Sequence, residues 1–296
     1  MARDDATTAV DARDAWAGCG HRHRTKRVRV RQRAADGTDK VHELRVGMRD
    51  VETRDDDGRG EREDEDVEVD PFFFDEGYDV ATSTGFARVW EGAEALTAHL
   101  ERTGLGAGER VLELGAGVGE CGLACAALGA HVVLTDVRAV CENAIRRNIE
   151  QNGTGPATEL VGAWPNATRI GSGSASRATL NWNDEIPSDP FQNESALTFY
   201  DADILIAAEC VWLRELLPPF VTTCSTLLRG GVRELILSVR DRSSTEGKVF
   251  AHTNEVVREF ESAGCALEAL HRQRSEDEGK EIVIFRITSA AAAPGA

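Results

Sequence analysis

Hydrophobic and polar positions from residue 88 onward alternate between two spacings. Apolar side chains recur at the three- and four-residue spacing of amphipathic helices over residues 88–103, 123–128, 137–151, 215–228 and 249–263. Between these segments lie short, largely apolar runs at residues 110–114, 131–135, 203–208, 234–239, 265–270 and 281–287. Apolar strands that alternate with helices predict an α/β fold, with a parallel sheet covered by helices on both faces.

The N-terminal part of the chain has a different pattern. In residues 27–33, Arg and Val alternate with the period of a half-buried strand, and residues 41–46 are a suitable hairpin partner. The seven Lys or Arg between residues 21 and 33 leave a second interpretation open, a localisation signal or a nucleic-acid-binding arm. Residues 50–66 are polar and dense in charge, which favours a solvated loop or a disordered segment.

Composition narrows the class of protein. The formal net charge is −17, which argues against general nucleic-acid binding because phosphate contacts need clustered Lys and Arg. No apolar run reaches the roughly 20 residues of a membrane helix. The seven cysteines contain no CxxC pair, so neither a zinc site nor a disulfide framework is expected. The acidic first residues do not resemble a signal peptide, and we expect a cytoplasmic or nuclear protein without a metal site.

A glycine-rich turn between the strand at 110–114 and the next helix is the first candidate site. It reads Glu113-Leu-Gly115-Ala116-Gly117-Val-Gly119, followed by Gly122. Gly117, Gly119 and Gly122 satisfy the G-x-G-x-x-G pattern of dinucleotide sites. The acid-x-G-x-G-x-G pattern that starts at Glu113 instead suits S-adenosylmethionine, whose sulfonium tolerates a nearby carboxylate. Glu113 would repel a pyrophosphate, so the second interpretation is preferred.

Two further acids end predicted strands. Asp136 follows the strand at 131–135, where a carboxylate can accept hydrogen bonds from ribose hydroxyls, or can cap the next helix. Glu209 follows the strand at 203–208, and Trp212 comes three residues later. A carboxylate there can hold the N–H groups of an amine, and an aromatic ring can line the channel. A second helix cap and a packed ring are the structural alternatives.

The motifs together resemble those of the class I, seven-β-strand methyltransferases, and in particular a protein-lysine methyltransferase group, methyltransferase family sixteen. The resemblance extends from about residue 84 to residue 287. It rests on the glycine turn, the Val-Trp before the first helix, Leu180-Asn181-Trp182, and the acid-x-x-aromatic motif at Glu209. It implies a Rossmann-like, doubly wound sheet of seven strands, mostly parallel with an antiparallel last strand. We therefore expect an N-terminal extension at residues 1–83, a methyltransferase domain at 84–288 and a disordered tail at 289–296.

The resemblance also implies roles for individual residues. Glu209 and Trp212 would form the catalytic, substrate-side motif. S-adenosylmethionine would be bound by Trp90, Glu113, Gly115, Ala116, Gly117, Gly119, Asp136, Trp182 and Ala208. The expected activity is methylation of a lysine side chain on a protein partner, with no nucleic-acid or membrane partner.

Two departures leave alternatives open. The family usually has Tyr where this chain has Trp212, which leaves an N–H donor in place of a phenol. The long loop after Asn152 contains a second candidate for the third strand, residues 160–164, whose Trp164 competes with Trp182 for the adenine pocket. A small-molecule N-methyltransferase of the nicotinamide type, an NAD-dependent oxidoreductase and a binding-only relative are the alternative functions.

Overall fold

The computed structural model describes residues 23–33, 37–49, 85, 89–104, 108–192, 195–241, 250–276 and 279–290. The charge-dense stretch at residues 50–66 and the tail beyond residue 290 lie outside these ranges, and the domain boundaries at 83/84 and 288/289 stay predictions. Within the described ranges, no helix combines the length and the apolar character that a membrane span needs.

Two sheets are present in the described chain. The small one is a hairpin of β1 (His23–Arg33) and β2 (Asp39–Arg49). The large one contains β3 (Arg110–Leu114), β4 (His131–Asp136), β5 (Thr168–Ile170), β6 (Gly173–Thr179), β7 (Ile204–Ala208), β8 (Glu234–Arg240), β9 (Cys265–Arg274) and β10 (Glu281–Ser289).

The large sheet has the order β5-β6-β4-β3-β7-β8-β10-β9. Strands β6, β4, β3, β7 and β8 are parallel, and β10 runs antiparallel between β8 and β9. This confirms the predicted doubly wound, mostly parallel sheet with an antiparallel last strand. The short β5, antiparallel to β6 at the edge, is an eighth strand that the sequence analysis did not predict.

The third strand in the parallel order, β6, corrects the interpretation of residues 153–178 as a loop. Its sequence, GSASRAT, contains no large apolar residue, yet Ser174 and Ser176 are buried. Glycine is needed at the first position of this strand because a Cβ on Gly173 would overlap the backbone carbonyl of Ala130. The rival segment, residues 160–164, forms turns and no strand.

Five α-helices are described around the sheet, besides two short 3₁₀ helices at Phe199–Asp201 and Arg214–Leu216: α1 (Glu91–Thr103), α2 (Glu120–Ala127), α3 (residues 138–152), α4 (Leu217–Arg229) and α5 (Thr253–Ser262). The third is interrupted by a π-helical turn at Cys141–Ile145 and continues over Arg146–Asn152. All five coincide with predicted helices to within a few residues at each end, which is the usual uncertainty of such boundaries.

Two hydrophobic clusters fill the two faces of the sheet. One cluster joins α1, α2 and α3 to the sheet and includes the inward side chains of the hairpin, such as Val30 and Val46. The other joins α4 and α5 to the opposite face through Phe220 and Phe260. The hairpin, predicted from its Arg-Val alternation, therefore shares a core with the helices beside it.

Candidate functional site

A cleft opens where the carboxyl ends of β3, β4, β6 and β7 meet, which is the position of ligand sites in open α/β sheets. Its walls contain ten of the eleven predicted site residues: Trp90, Glu113, Gly115, Ala116, Gly117, Asp136, Trp182, Ala208, Glu209 and Trp212. The eleventh, Gly119, is absent from the lining. It is the N-cap of α2 with φ +84°, and a Cβ there would lie 2.6 Å from Cδ2 of Leu134.

Two positions of the turn after β3 have a backbone conformation that favours glycine. Gly115 and Gly117 have φ values of +62° and +55°, in the left-handed region that side chains disfavour. A Cβ on Gly115 would lie 2.7 Å from the Cβ of Cys210 and 2.9 Å from Cζ2 of Trp182. The turn therefore brings bare backbone into the cleft, between the ends of β6 and β7.

Asp136 holds this turn in place. Its Oδ2 accepts a hydrogen bond from the Gly117 amide at 2.9 Å, and its Oδ1 accepts one from the Val137 amide at 2.7 Å. The N-cap of α3 is Val137, so the helix-cap alternative for Asp136 does not describe its position. Each carboxylate oxygen has a second lone pair, so Asp136 can also accept hydrogen bonds from a ligand in the cleft.

Glu113 is almost fully buried and supports the first turn of α2. It accepts a hydrogen bond from the Gly122 amide at 3.1 Å. Burial raises the pKa of Glu113 to about 8, against the lowering effect of that hydrogen bond. A Cβ on Gly122 would overlap the Glu113 carboxylate. The third glycine of the apparent dinucleotide motif therefore makes room for Glu113 and not for a pyrophosphate.

The first residue of α2, Glu120, is a buried acid that sequence analysis missed. It lines the cleft with 3% of its surface exposed. Its carboxylate lies 2.9 Å from Nζ of Lys26, which reaches across from β1 and also contacts Glu94 at 2.6 Å. Burial raises the pKa of Glu120, and the nearby ammonium of Lys26 opposes that effect.

Glu209 is held in a strained conformation at the end of β7. Its φ is +47°, which is unfavourable for any residue with a Cβ, and 7% of its surface is exposed. Its Oε2 accepts a hydrogen bond from the Gly92 amide at 2.5 Å, in the first turn of α1. A Cβ on Gly92 would lie 2.6 Å from Cγ of Glu209, so glycine is required beside this carboxylate.

Three of the tryptophans line the cleft. Trp90 precedes α1, and Trp212 packs on Phe250 with ring centroids 6.2 Å apart. Trp182 packs edge-on against Phe220 at 5.0 Å, and its buried Nε1 has no hydrogen-bond acceptor among the described residues. Trp164 is elsewhere in the core, where its Nε1 donates to the carbonyl of His131 at 2.8 Å. Of the two rivals, Trp182 is the one in the cleft.

The charge of the cleft is one-sided. Four carboxyl groups line it, from Glu113, Glu120, Asp136 and Glu209, and no Lys, Arg or His is among its described lining residues. Glu113, whose pKa is raised to about 8, is mainly protonated at neutral pH, so the negative charge comes from the other acids. A pyrophosphate would be repelled by such a wall, whereas a sulfonium and an ammonium would be attracted. The residues fit S-adenosylmethionine on three counts: the bare glycine turn, the acid at the end of β4, and the unpaired N–H of Trp182.

Several lining residues were not predicted. In the sequence, Glu120 is indistinguishable from the acidic residues that helices favour in their first turn, so nothing there indicates a role in ligand binding. Asn181 and Asn183 lie in the turn after β6, and the Oδ1 of Asn181 accepts a hydrogen bond from the Asn183 amide at 3.1 Å. Gly92, which supports Glu209 from outside the lining, could have been found because a glycine inside a helical pattern calls for a packing reason.

The sheet order, the glycine turn and the acid at the end of β4 define a class I, S-adenosylmethionine-dependent methyltransferase. A family model described as "Lysine methyltransferase" matches residues 78–256, more than half of the chain. The protein belongs to this lysine methyltransferase family, and its cofactor is S-adenosylmethionine.

Individual relatives are more distant. The chain is 29% identical over 138 residues to "Protein N-lysine methyltransferase METTL21A" of Xenopus tropicalis, a match that covers 46% of this chain and 53% of the relative. It therefore spans about half the length of that protein.

Two solved structures are similar in part. Magnesium protoporphyrin IX methyltransferase from Synechocystis is 16% identical, with 78% of this chain and 90% of that chain covered and a TM-score of 0.43. A TehB-like methyltransferase from Corynebacterium glutamicum is 15% identical, with 70% and 91% covered and a TM-score of 0.42. Both similarities are remote. The interpretation of the cleft therefore rests on the family match and on the residues that line the cleft.

Proposed function

We propose that this protein methylates the side-chain amine of a lysine on a protein substrate. The observation that carries the proposal is Glu209, a buried carboxylate in strained backbone beside the cofactor turn. A non-glycine residue in the left-handed region costs about 1–2 kcal/mol, and such strain is concentrated at functional sites. The strain brings the side chain to the Gly92 amide, where its position is fixed by a hydrogen bond.

The family and the relative support lysine as the acceptor. The matched family model describes lysine methyltransferases, and the relative is named as an N-lysine methyltransferase. The acid-lined cleft suits a cationic acceptor, since a lysine arrives as an ammonium ion. In this proposal the acidic walls attract the substrate, and the chain's net charge of −17 favours a basic protein surface.

Methyl transfer to an amine depends more on the positioning of the two reactants than on a strong base in the protein. S-adenosylmethionine supplies an electrophilic methyl group on sulfur. The lysine ammonium loses a proton to solvent, Glu209 accepts a hydrogen bond from the remaining N–H, and Trp212 lines the path of the side chain. Glu209 and Trp212 would thus hold the neutral amine in the cleft with its lone pair free for the methyl group that the cofactor supplies. Holding the two reactants in line lowers the barrier by reducing the entropy lost in the reaction.

A methyl-labelled screen tests the proposal. Purified protein and S-[methyl-³H]adenosylmethionine would be added to a cell lysate, and labelled protein bands would be hydrolysed to amino acids. We expect label in methyl-lysine, and about 100-fold less of it when Glu209→Gln replaces the wild type. Label confined to small molecules would support the nicotinamide-type alternative, and label in another amino acid would contradict lysine as the acceptor.

A further inference from the structure

The N-terminal hairpin is linked to the wall of the cofactor cleft at two points, directly at one and through a side chain of α3 at the other, and both links are polar and at least partly buried. The first is Lys26, whose partner Glu120 begins α2 and lines the cleft. The second is Val118 in the glycine turn, which is tied to β2 through a side chain of α3. These contacts are separate from the apolar packing that fixes the hairpin to the helices.

Lys26 lies on the inward face of β1. Val28 and Val30, which follow it at the strand's two-residue period, are buried in the core. Burial lowers the pKa of Lys26, but the carboxylates of Glu120 and Glu94 raise it by more, so the pKa lies above its ordinary value. The side chain is 31% exposed, whereas Glu120 is 3% exposed. Lys26 is not among the described lining residues of the cleft, so its ammonium contacts the Glu120 carboxylate on the side away from the cleft.

The second contact uses Asn148, which is fully buried in α3. Its Oδ1 accepts a hydrogen bond from the Gly47 amide at 2.8 Å, and its Nδ2 donates to the Gly47 carbonyl at 2.9 Å. The same Nδ2 donates to the carbonyl of Val118 at 2.8 Å. One amide group thus joins β2 of the hairpin to the residue between Gly117 and Gly119.

We propose that Lys26 is a positioning residue for the cofactor and acts through Glu120. A carboxylate buried without a cation either takes up a proton or turns toward water, because charge is poorly solvated in the interior. Either response changes the charge or the position of the Glu120 side chain, and with it the position of the glycine turn that leads into α2. Lys26 keeps Glu120 charged and in place, so that the hairpin is part of the cofactor site.

Calorimetric titration with S-adenosylhomocysteine tests the proposal. We expect Lys26→Met to weaken binding by about tenfold, and Lys26→Arg to bind within about threefold of the wild type because it keeps the charge. Lys40→Met is the matched control, since Lys40 lies on the same hairpin but outside the lining of the cleft, with its Nζ 3.4 Å from Ser172 Oγ. It should bind as the wild type does. Equal weakening by the Lys26 and Lys40 variants would overturn the proposal.

A double-mutant cycle separates positioning from general stabilisation of the hairpin. Glu120→Gln removes the charge that Lys26 neutralises, so Lys26→Met should cause no further loss of affinity in that background. Full additivity of the two effects would contradict action through Glu120. The cycle also covers the case in which Lys26→Met alone does not fold, because the double variant buries no unpaired carboxylate at this point.

Turnover gives an independent readout. With any accepted substrate, Lys26→Met should raise the KM for S-adenosylmethionine by about tenfold and change kcat by less than about twofold. A fall in kcat at unchanged KM would overturn the proposal. The binding titrations need no methyl acceptor, so their outcome is independent of the proposed lysine activity, and failure of the wild type to bind S-adenosylhomocysteine would reject the cofactor instead.

Discussion

The two walls of the cleft are built in different ways. On the cofactor side, the glycine turn is fixed by several groups: Asp136 on one amide, Asn148 on one carbonyl, and Glu113 in the first turn of α2. On the acceptor side, Glu209 has a strained backbone, and its Oε2 accepts a hydrogen bond from the Gly92 amide in the first turn of α1. The cofactor wall is therefore fixed by side chains from β3, β4 and α3, whereas the acceptor wall combines strained backbone at the end of β7 with a contact to the start of α1.

This difference predicts that the two functions can be separated. Substitutions around the glycine turn should weaken cofactor binding and leave the transfer step nearly intact once the cofactor is saturating. Substitutions around Glu209 should slow transfer at unchanged cofactor affinity. An interaction made only in the transition state affects kcat, whereas one made equally in the bound complex affects KM.

The largest effect is expected for Gly115→Ala. The new Cβ would overlap Cys210 and Trp182, so the turn must move and the cofactor surface is lost. We expect affinity for S-adenosylhomocysteine to fall by at least about 100-fold in calorimetry. Gly104→Ala is the matched control: its φ is +65°, close to the +62° of Gly115, but a Cβ there meets nothing within 4 Å. Equal losses in both variants would show backbone strain alone to be the cause.

The next effect is that of Asp136→Ala. It removes the acceptor for the Gly117 amide and the carboxylate offered to the cofactor. Affinity for S-adenosylhomocysteine should fall by about 10- to 100-fold, with kcat at saturating cofactor changed by less than about threefold. Asp203→Ala is the control, because Asp203 accepts a hydrogen bond from the Arg110 amide at the opposite end of β3. Unchanged affinity in Asp136→Ala would remove this residue from the site.

A smaller effect, on the other wall, is expected for Gly92→Ala. The added methyl group displaces Glu209, whose Cγ would be 2.6 Å away. We expect kcat for methyl transfer to fall by about tenfold and the affinity for S-adenosylhomocysteine to stay within about twofold. A steady-state assay beside a binding titration checks both. Loss of affinity equal to the loss of kcat would show that the walls are not independent.

The smallest effect concerns stability and pH. Since the pKa of Glu113 is raised to about 8 in the folded protein, from 4.5, the native state holds the proton more tightly than the unfolded chain. The stability that this group contributes is therefore lost as pH rises through about 8, by at most about 1.4 kcal/mol per pH unit. Glu113→Gln should flatten the dependence of Tm on pH between about 4.5 and 8, the interval between the ordinary pKa of this side chain and its raised pKa in the folded protein. A Tm profile parallel to that of the wild type would contradict a raised pKa.

Much of the fold was predictable because most of its strands have a clear hydrophobic pattern. Strands β3, β4 and β7 are apolar runs between helices of clear period, and the glycine turn and Asp136 follow them at fixed points. Strand β6 was not predictable from its own pattern, because it consists mainly of Gly, Ser and Ala where a strand usually has Val or Ile, and close contact with the Ala130 carbonyl requires its glycine at position 173.

The supports of the site were harder to infer than its lining. Lys26 shares the inward face of β1 with Val28 and Val30, and a charge at such a position signals a buried partner; the sequence contained that signal. Its partner Glu120 lies 94 residues away, and no local pattern joins the two. The contact between Gly92 and Glu209 spans 117 residues and likewise follows only from the packing of α1 against β7 and β8.

The separation of binding from transfer is tested most directly by Glu209→Gln, with calorimetry and methyl transfer measured on one preparation. Glutamine keeps an oxygen for the Gly92 amide but loses the negative charge. The account predicts affinity for S-adenosylhomocysteine within about threefold of the wild type and methyl transfer slowed by about 100-fold or more. Full methyl transfer by this variant, or a parallel loss of binding and transfer, would contradict it.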